Sequence, residues 1–179
     1  MTVEVEVDGS LFSFPEGWEV EKLDEWPEQA RLSTLPFEAK SCDLVAMKAG
    51  VLWLVEAKDY TYPGAKLPGD LAQTVGSKIF DSMAVLHAVA RWGSGTNQAF
   101  SRRALQCHDA RICLAVQLPD GGRRLIGVQT PLANIKADLT TVTRRLGVLR
   151  PVVSSFYQPD SVPWQLRRDP RTRGQHADR

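Results

Sequence analysis

What this 179-residue sequence lacks narrows its class before any motif is read. Its three cysteines, Cys42, Cys107 and Cys113, are an odd number without a close pair, which argues against a disulfide framework and fits reduced thiols. Cys107, His108 and Cys113 have no zinc-site spacing, and His87 and His108 read as incidental. There is no run of about 18 apolar residues, so no membrane span is expected. The start, MTVEVEVDGS, has neither the basic end nor the apolar centre of a signal peptide, and a soluble cytoplasmic protein is the expectation. A Walker-type loop, GxGxxG after a strand, GxSxG and HExxH are all missing, leaving ATP, dinucleotide, serine-hydrolase and zincin chemistry without motif support. Internal repeats and low-complexity tracts are also absent.

What is present is ordinary globular composition, 43% hydrophobic and 24% charged, in a chain long enough for one sizeable core. The net charge of +1 hides an asymmetry: residues 1–40 carry ten acids against three bases, a balance of −7, and the remainder carries +8. A basic remainder of that size suits nucleic acid as well as it suits scattered solubilising arginine.

Val3, Val5 and Val7 alternate with acids and close on Gly9, which predicts an edge strand, with residues 10–14 pairing back and WEVEKLDEW extended up to Pro27. Residues 43–48 and 51–59 are apolar runs on either side of Ala49 and Gly50, a hairpin whose strands are apolar on both faces and so central in an α/β sheet. Ala72, Val75, Ile79, Met83, Leu86 and Ala90 predict a long helix over 70–92, its polar side carrying Gln73, Thr74, Ser77, Lys78 and Asp81. A shorter helix is expected over 97–106, a buried strand over 111–118 closed by PDGG, and a helix opening at Thr130 and Pro131 and stopping at Gly147. Its buried face is Leu132, Ile135, Leu139, Val142 and Leu146. VLRPVVSSF reads as a late strand. The expected organisation is one domain over 1–158 and an Arg-rich flexible tail over 159–179.

With Ala49 and Gly50 as turn residues, Lys48 faces Val51 and Asp43 faces Glu56, and Lys58, two beyond Glu56, points to the same side. Two carboxylates that close beside an apolar sheet call for a cation, and an oxygen set of this kind suits Mg2+, with Mn2+ as a substitute. Asp43, Glu56 and the Ala57 carbonyl would hold it, with positions left for water and a phosphate oxygen. Lys58 would orient or deprotonate the water or offset charge on the phosphate. The alternative is a surface ion pair at a strand end.

Asp43, the hairpin, then Glu56, Ala57 and Lys58 closing an apolar strand before a long helix, resemble the core of the PD-(D/E)xK nuclease superfamily over residues 43 to about 118. The resemblance implies a restriction-endonuclease-like α/β fold, a central mixed sheet flanked by helices on both faces. It also implies that Asp43 and Glu56 ligate the metal and Lys58 assists the attacking water. The following helix would add Gln73 or Lys78, and an N-terminal element a further acid, with Asp24, Glu21, Glu25 and Glu28 as candidates. Cys42 stands where the family often has Pro. A second triplet, Glu38, Ala39 and Lys40, follows no apolar strand, and Lys40 is at most a phosphate contact.

The expected function is a Mg2+-dependent nuclease acting on DNA ahead of RNA. The alternatives are a non-catalytic nuclease-fold subunit that binds a protein partner in a nucleic-acid-processing or defence complex, and a metal-dependent phosphoesterase acting on a small molecule. Homodimerisation is left open.

Overall fold

The structure, a computed structural model, describes residues 2–34, 38–119, 126–147, 150–158 and 162–169, and of residues 126–130 the backbone alone. Strands β1 (Val3–Val7) and β2 (Ser10–Phe14) form the expected acidic hairpin, reversing at Asp8 and Gly9, both of which have positive φ. The extended run after it is shorter than the alternation suggested. Strand β3 (Glu19–Glu21) gives way to a 3-10 turn at Leu23–Glu25 and then to helix α1 (Pro27–Leu32). Leu23 and Trp26, three apart and both buried, need a helical turn to reach one core, and Pro27 starts the helix with its φ already set.

Strands β4 (Leu44–Lys48) and β5 (Val51–Asp59) pair in the expected register, Lys48 opposite Val51 and Leu44 opposite Val55. Ala49 and Gly50 both take positive φ, 51° and 75°, the demand of a two-residue reversal that matches strand twist. Helices α2 (Leu71–Trp92) and α3 (Gly95–Leu105) then carry the chain back to β6 (Asp109–Gln117), which lies parallel to β5.

Helix α4 (Ile126–Arg145) begins before the predicted Thr130–Pro131 start and holds Pro131 inside, at the expense of one backbone hydrogen bond. Gly147, at φ 80°, follows its end as expected, Leu132, Ile135 and Leu139 are buried, and Leu146 is exposed. The PDGG turn lies outside the described residues. Strand β7 (Val152–Ser154) pairs parallel to β6.

The main sheet therefore runs β3-β4-β5-β6-β7, antiparallel over its first two pairings and parallel over its last two, a mixed α/β sheet. One face, with Val45, Met47, Leu52, Leu54, Ile112 and Leu114, packs on the helices. Among the described residues the other face carries none of the helices expected there. A three-stranded antiparallel sheet, made of β1, β2 and a last strand β8 (Gln165–Arg168), covers it through Phe12, Phe14 and Leu166, with Trp18 and Trp164 filling the gap over Trp53.

Strand β8 (Gln165–Arg168) pairs with β2 and comes from the segment read as tail. The boundary at residue 158 is corrected to that extent: Trp164 and Leu166 are buried, and two large apolar groups outweigh the arginines flanking them. Residues 170–179 lie outside the described residues. No described helix is long and apolar enough to cross a membrane.

Candidate active site

The hairpin register brings the predicted residues together on the helix-covered face. Glu56 lies between Leu54 and Lys58 along that face, at a point where β5 has outrun β4 and only β6 still pairs with it. Asp43, one residue before β4, accepts the Ala57 N–H on Oδ2 at 2.7 Å. The same carboxylate thus continues the ladder where the strand stops.

From the other side, α2 lays Lys78 over the two acids. Its Nζ is 2.6 Å from Glu56 Oε1 and 3.7 Å from Asp43 Oδ1, while Lys58 Nζ is 2.7 Å from the same Glu56 Oε1. Side-chain exposure is 1% for Glu56, 16% for Asp43, 18% for Lys78 and 28% for Lys58, so Glu56 is the floor of the site and the lysines form its rim. Two ammonium groups crowd one oxygen of Glu56, and the other, Oε2, is buried without a hydrogen-bond partner.

The electrostatics follow from that burial. Desolvation, reinforced by the Asp43 charge, raises Glu56 above the usual carboxylate range against the pull of Lys58 and Lys78. For Lys58, burial works toward a lower value, but the charge and hydrogen bond of Glu56, with Asp43 and Asp8 behind them, outweigh it and the pKa rises. Lys58 is accordingly a firmly held ammonium at neutral pH.

Of the candidate N-terminal acids, Asp24 on the 3-10 turn feels this centre. Partial burial and then the Asp43 charge raise its pKa. Glu21 instead receives the Trp26 indole N–H and Glu28 the Asn97 amide, and Glu25 pairs with Lys22. Gln73 is not brought in: it lies exposed along a groove between α2 and α4 with Ser77, Phe80 and Val142. Lys40 gives its backbone N–H to Asp81 on α2.

Three further residues shape the site, Ser82 and Asp8, which did not stand out in the sequence, and Cys42, which did only as the residue before Asp43. Ser82, fully buried, accepts the Cys42 N–H at 2.8 Å and donates to the Lys78 carbonyl at 2.7 Å, so one hydroxyl joins the backbone before Asp43 to the turn bearing Lys78. Asp8, at the tip of the first hairpin, accepts the Asp59 N–H and fixes the end of β5. Cys42 lies under the acids, its thiol pushed up to about 12 chiefly by burial, and stays neutral. The readable signal was Ser82 four residues after Lys78, one helical turn along the same stripe.

Among the described residues no group of three or more His, Cys, Asp and Glu is gathered as a metal cluster. The oxygens present are nonetheless a set that suits a hard cation. Glu56 Oε2 is orphaned and buried, Asp43 Oδ1 and Glu56 Oε1 share the Lys78 ammonium, and the Ala57 carbonyl points to the Asp43 side because an extended residue directs its N–H and C=O to one neighbour. Cys107 and Cys113 pack on opposite faces of the sheet.

No family model and no solved structure matches the chain. A cysteine–tRNA ligase of Neisseria meningitidis serogroup A / serotype 4A is similar to it, 26% identical over an alignment 197 positions long that takes in 87% of this chain and 28% of the relative. The chain thus spans less than a third of that relative's length.

Proposed function

We propose that this protein is a metal-dependent nuclease that hydrolyses phosphodiester bonds, of DNA ahead of RNA, in a restriction-endonuclease-like core. The observation that carries the reading is the buried Glu56, with one oxygen orphaned, set beside Asp43 and two lysines where an apolar strand ends. Asp43, Glu56 and the Ala57 carbonyl would hold Mg2+ or Mn2+. The ion, when bound, supplies Lewis-acid polarisation of a phosphate oxygen and eases deprotonation of water.

The chain's own residues do the rest. Glu56 and Asp43 place a fixed negative charge at the floor, and the Ala57 N–H holds Asp43 in orientation. Lys58, kept charged by Glu56, acts as a hydrogen-bond donor that orients the attacking water and offsets charge building on the phosphate. That role takes the place of proton abstraction, which would need a depressed lysine. Cys42, Cys107 and Cys113 are free thiols, which suits a cytoplasmic setting.

Asp43→Ala and Lys58→Ala are expected to fold as the wild type does and to lose at least about 100-fold in cleavage rate. The check is a nicking assay on single- and double-stranded DNA and RNA with Mg2+ or Mn2+. Wild-type rates in both variants would rule the assignment out.

A second reading is a non-catalytic module of a larger nucleic-acid-processing assembly, either through a protein partner or as a homodimer. One observation favours it: in the similar ligase the matching stretch makes up 28% of a longer chain. Purified protein that binds no Mn2+ and cuts nothing, yet associates with a protein partner, would select this reading.

A further inference from the structure

We propose that Lys78 is a built-in counter-ion which a divalent cation must displace from between Asp43 and Glu56. The inference rests on the metal-site reading above and goes beyond it by assigning the residue that controls loading. Lys78 Nζ reaches both acids, at 2.6 Å from Glu56 and 3.7 Å from Asp43, and among the described residues Asp43 forms no other ion pair. Lys58 comes as close to Glu56 but stands on β5 beside it, and pairs with Glu56.

Asp43 has committed Oδ2 to the Ala57 N–H and has Oδ1 left for a shared cation, and Oδ1 is the oxygen that faces Lys78. An ion held by Asp43 Oδ1 and the Glu56 carboxylate would lie between the two acids, where the Lys78 ammonium already stands against Asp43 Oδ1 and Glu56 Oε1. The two cations cannot share the place.

What can move is equally defined. The α2 backbone at this point is clasped to the segment that leads into β4 and carries Asp43, by Ser82 between Cys42 and the Lys78 carbonyl and by Asp81 on the Lys40 N–H. The helix therefore stays, and the flexible four-carbon stem of Lys78 swings. Its side chain is 18% exposed, so the outward path leads to the rim, where an incoming phosphate would meet the released ammonium. Metal loading and release of Lys78 become one event, and the apparent metal affinity is the intrinsic affinity reduced by the fraction of molecules in which Lys78 has left.

The test is calorimetric titration of the full chain with Mn2+, in the wild type, Lys78→Met and Lys58→Met. The expected result is about tenfold or more tighter binding in Lys78→Met, with a clearly smaller change in Lys58→Met. Wild type that binds Mn2+ while Lys78→Met binds it equally or more weakly overturns the displacement and leaves the metal site standing. Equal tightening in both lysine variants also overturns it, since that is a general charge effect. Absence of Mn2+ binding in all three overturns the metal reading together with this one.

A second measurement does not depend on a folded variant. The Lys78 ammonium resonance of the wild type, observed by NMR with diamagnetic Mg2+, is expected to lose its shielded, slowly exchanging character as the metal is added. A resonance unchanged at saturating Mg2+ contradicts the proposal.

Discussion

Glu56 has the side chain on which the proposed site is built, and its environment sets a pH dependence that can be measured. Burial, with Asp43 behind it, raises its pKa above the ordinary 4.5, so the folded protein holds this proton more tightly than the unfolded chain does. For a raised group the favourable contribution is complete below about 4.5 and is lost as pH climbs through the raised value. Relative to Glu56→Gln, the wild type is therefore expected to become less stable between about pH 4 and pH 7.5. Equilibrium urea unfolding of both proteins at the two pH values checks this, and a constant gap would contradict the burial account. Much of this scale was legible in the sequence: the hairpin register follows from two turn residues, and it places Asp43, Glu56 and Lys58 on one side. The resemblance offered Lys78 and Gln73 alike, and the residues themselves did not choose between them, because a polar side chain on the stripe of a helix looks the same in sequence whether it faces solvent or a buried acid. Only the packing of α2 against the end of β5 distinguishes the two.

At the scale of elements, the hairpin that builds the site carries a strained residue. Ala49 has φ 51°, a conformation that costs an L-residue roughly 1 kcal/mol or more, whereas glycine adopts it freely. Ala49→Gly is expected to stabilise the protein by about 0.5 kcal/mol, the gain being reduced by glycine's larger unfolded-state entropy. Thermal and urea unfolding will register it, and a loss of stability would mean that the turn is not set by those two residues. On the helix side, Ser82→Ala removes the acceptor of a buried Cys42 N–H and is expected to cost about 1–3 kcal/mol. Helix α4 illustrates what sequence punctuation misses: Thr and Pro make a sound helix start, yet the helix continues back to Ile126 through the proline, since one lost hydrogen bond is a smaller term than the burial of Leu132, Ile135 and Leu139.

Across the whole molecule, the mixed sheet with its parallel half was readable from doubly apolar strands alternating with amphipathic helices, whereas the cover on its second face was not. Both a helix and a small sheet can hide an apolar surface, and the sequence of β1 and β2 reads as an edge hairpin in either case. The strand that completes the cover, β8, is four residues long and rich in arginine, with Leu166 the buried member of the run. Trp164 beside it meets Trp18 and Trp53 edge to face and Phe14 at a tilt, and so joins the two sheets. Trp164→Ala is expected to destabilise the fold by about 3–5 kcal/mol in urea unfolding, and a change under about 1 kcal/mol would return this segment to the status of a tail. The acidic front also finds a structural use here, since Glu4 pairs with Arg167 and Glu19 with Arg103, which ties the −7 portion of the chain to the basic remainder.

The central claim is that the end of β5 and the start of β4 form a seat for a hard divalent cation. Anomalous diffraction from crystals grown with Mn2+ tests it most directly. The account predicts one strong peak within bonding distance of Asp43, Glu56 and the Ala57 carbonyl, with the Lys78 side chain turned away. Density free of any such peak at saturating Mn2+, with Lys78 still lodged on both acids, would contradict it.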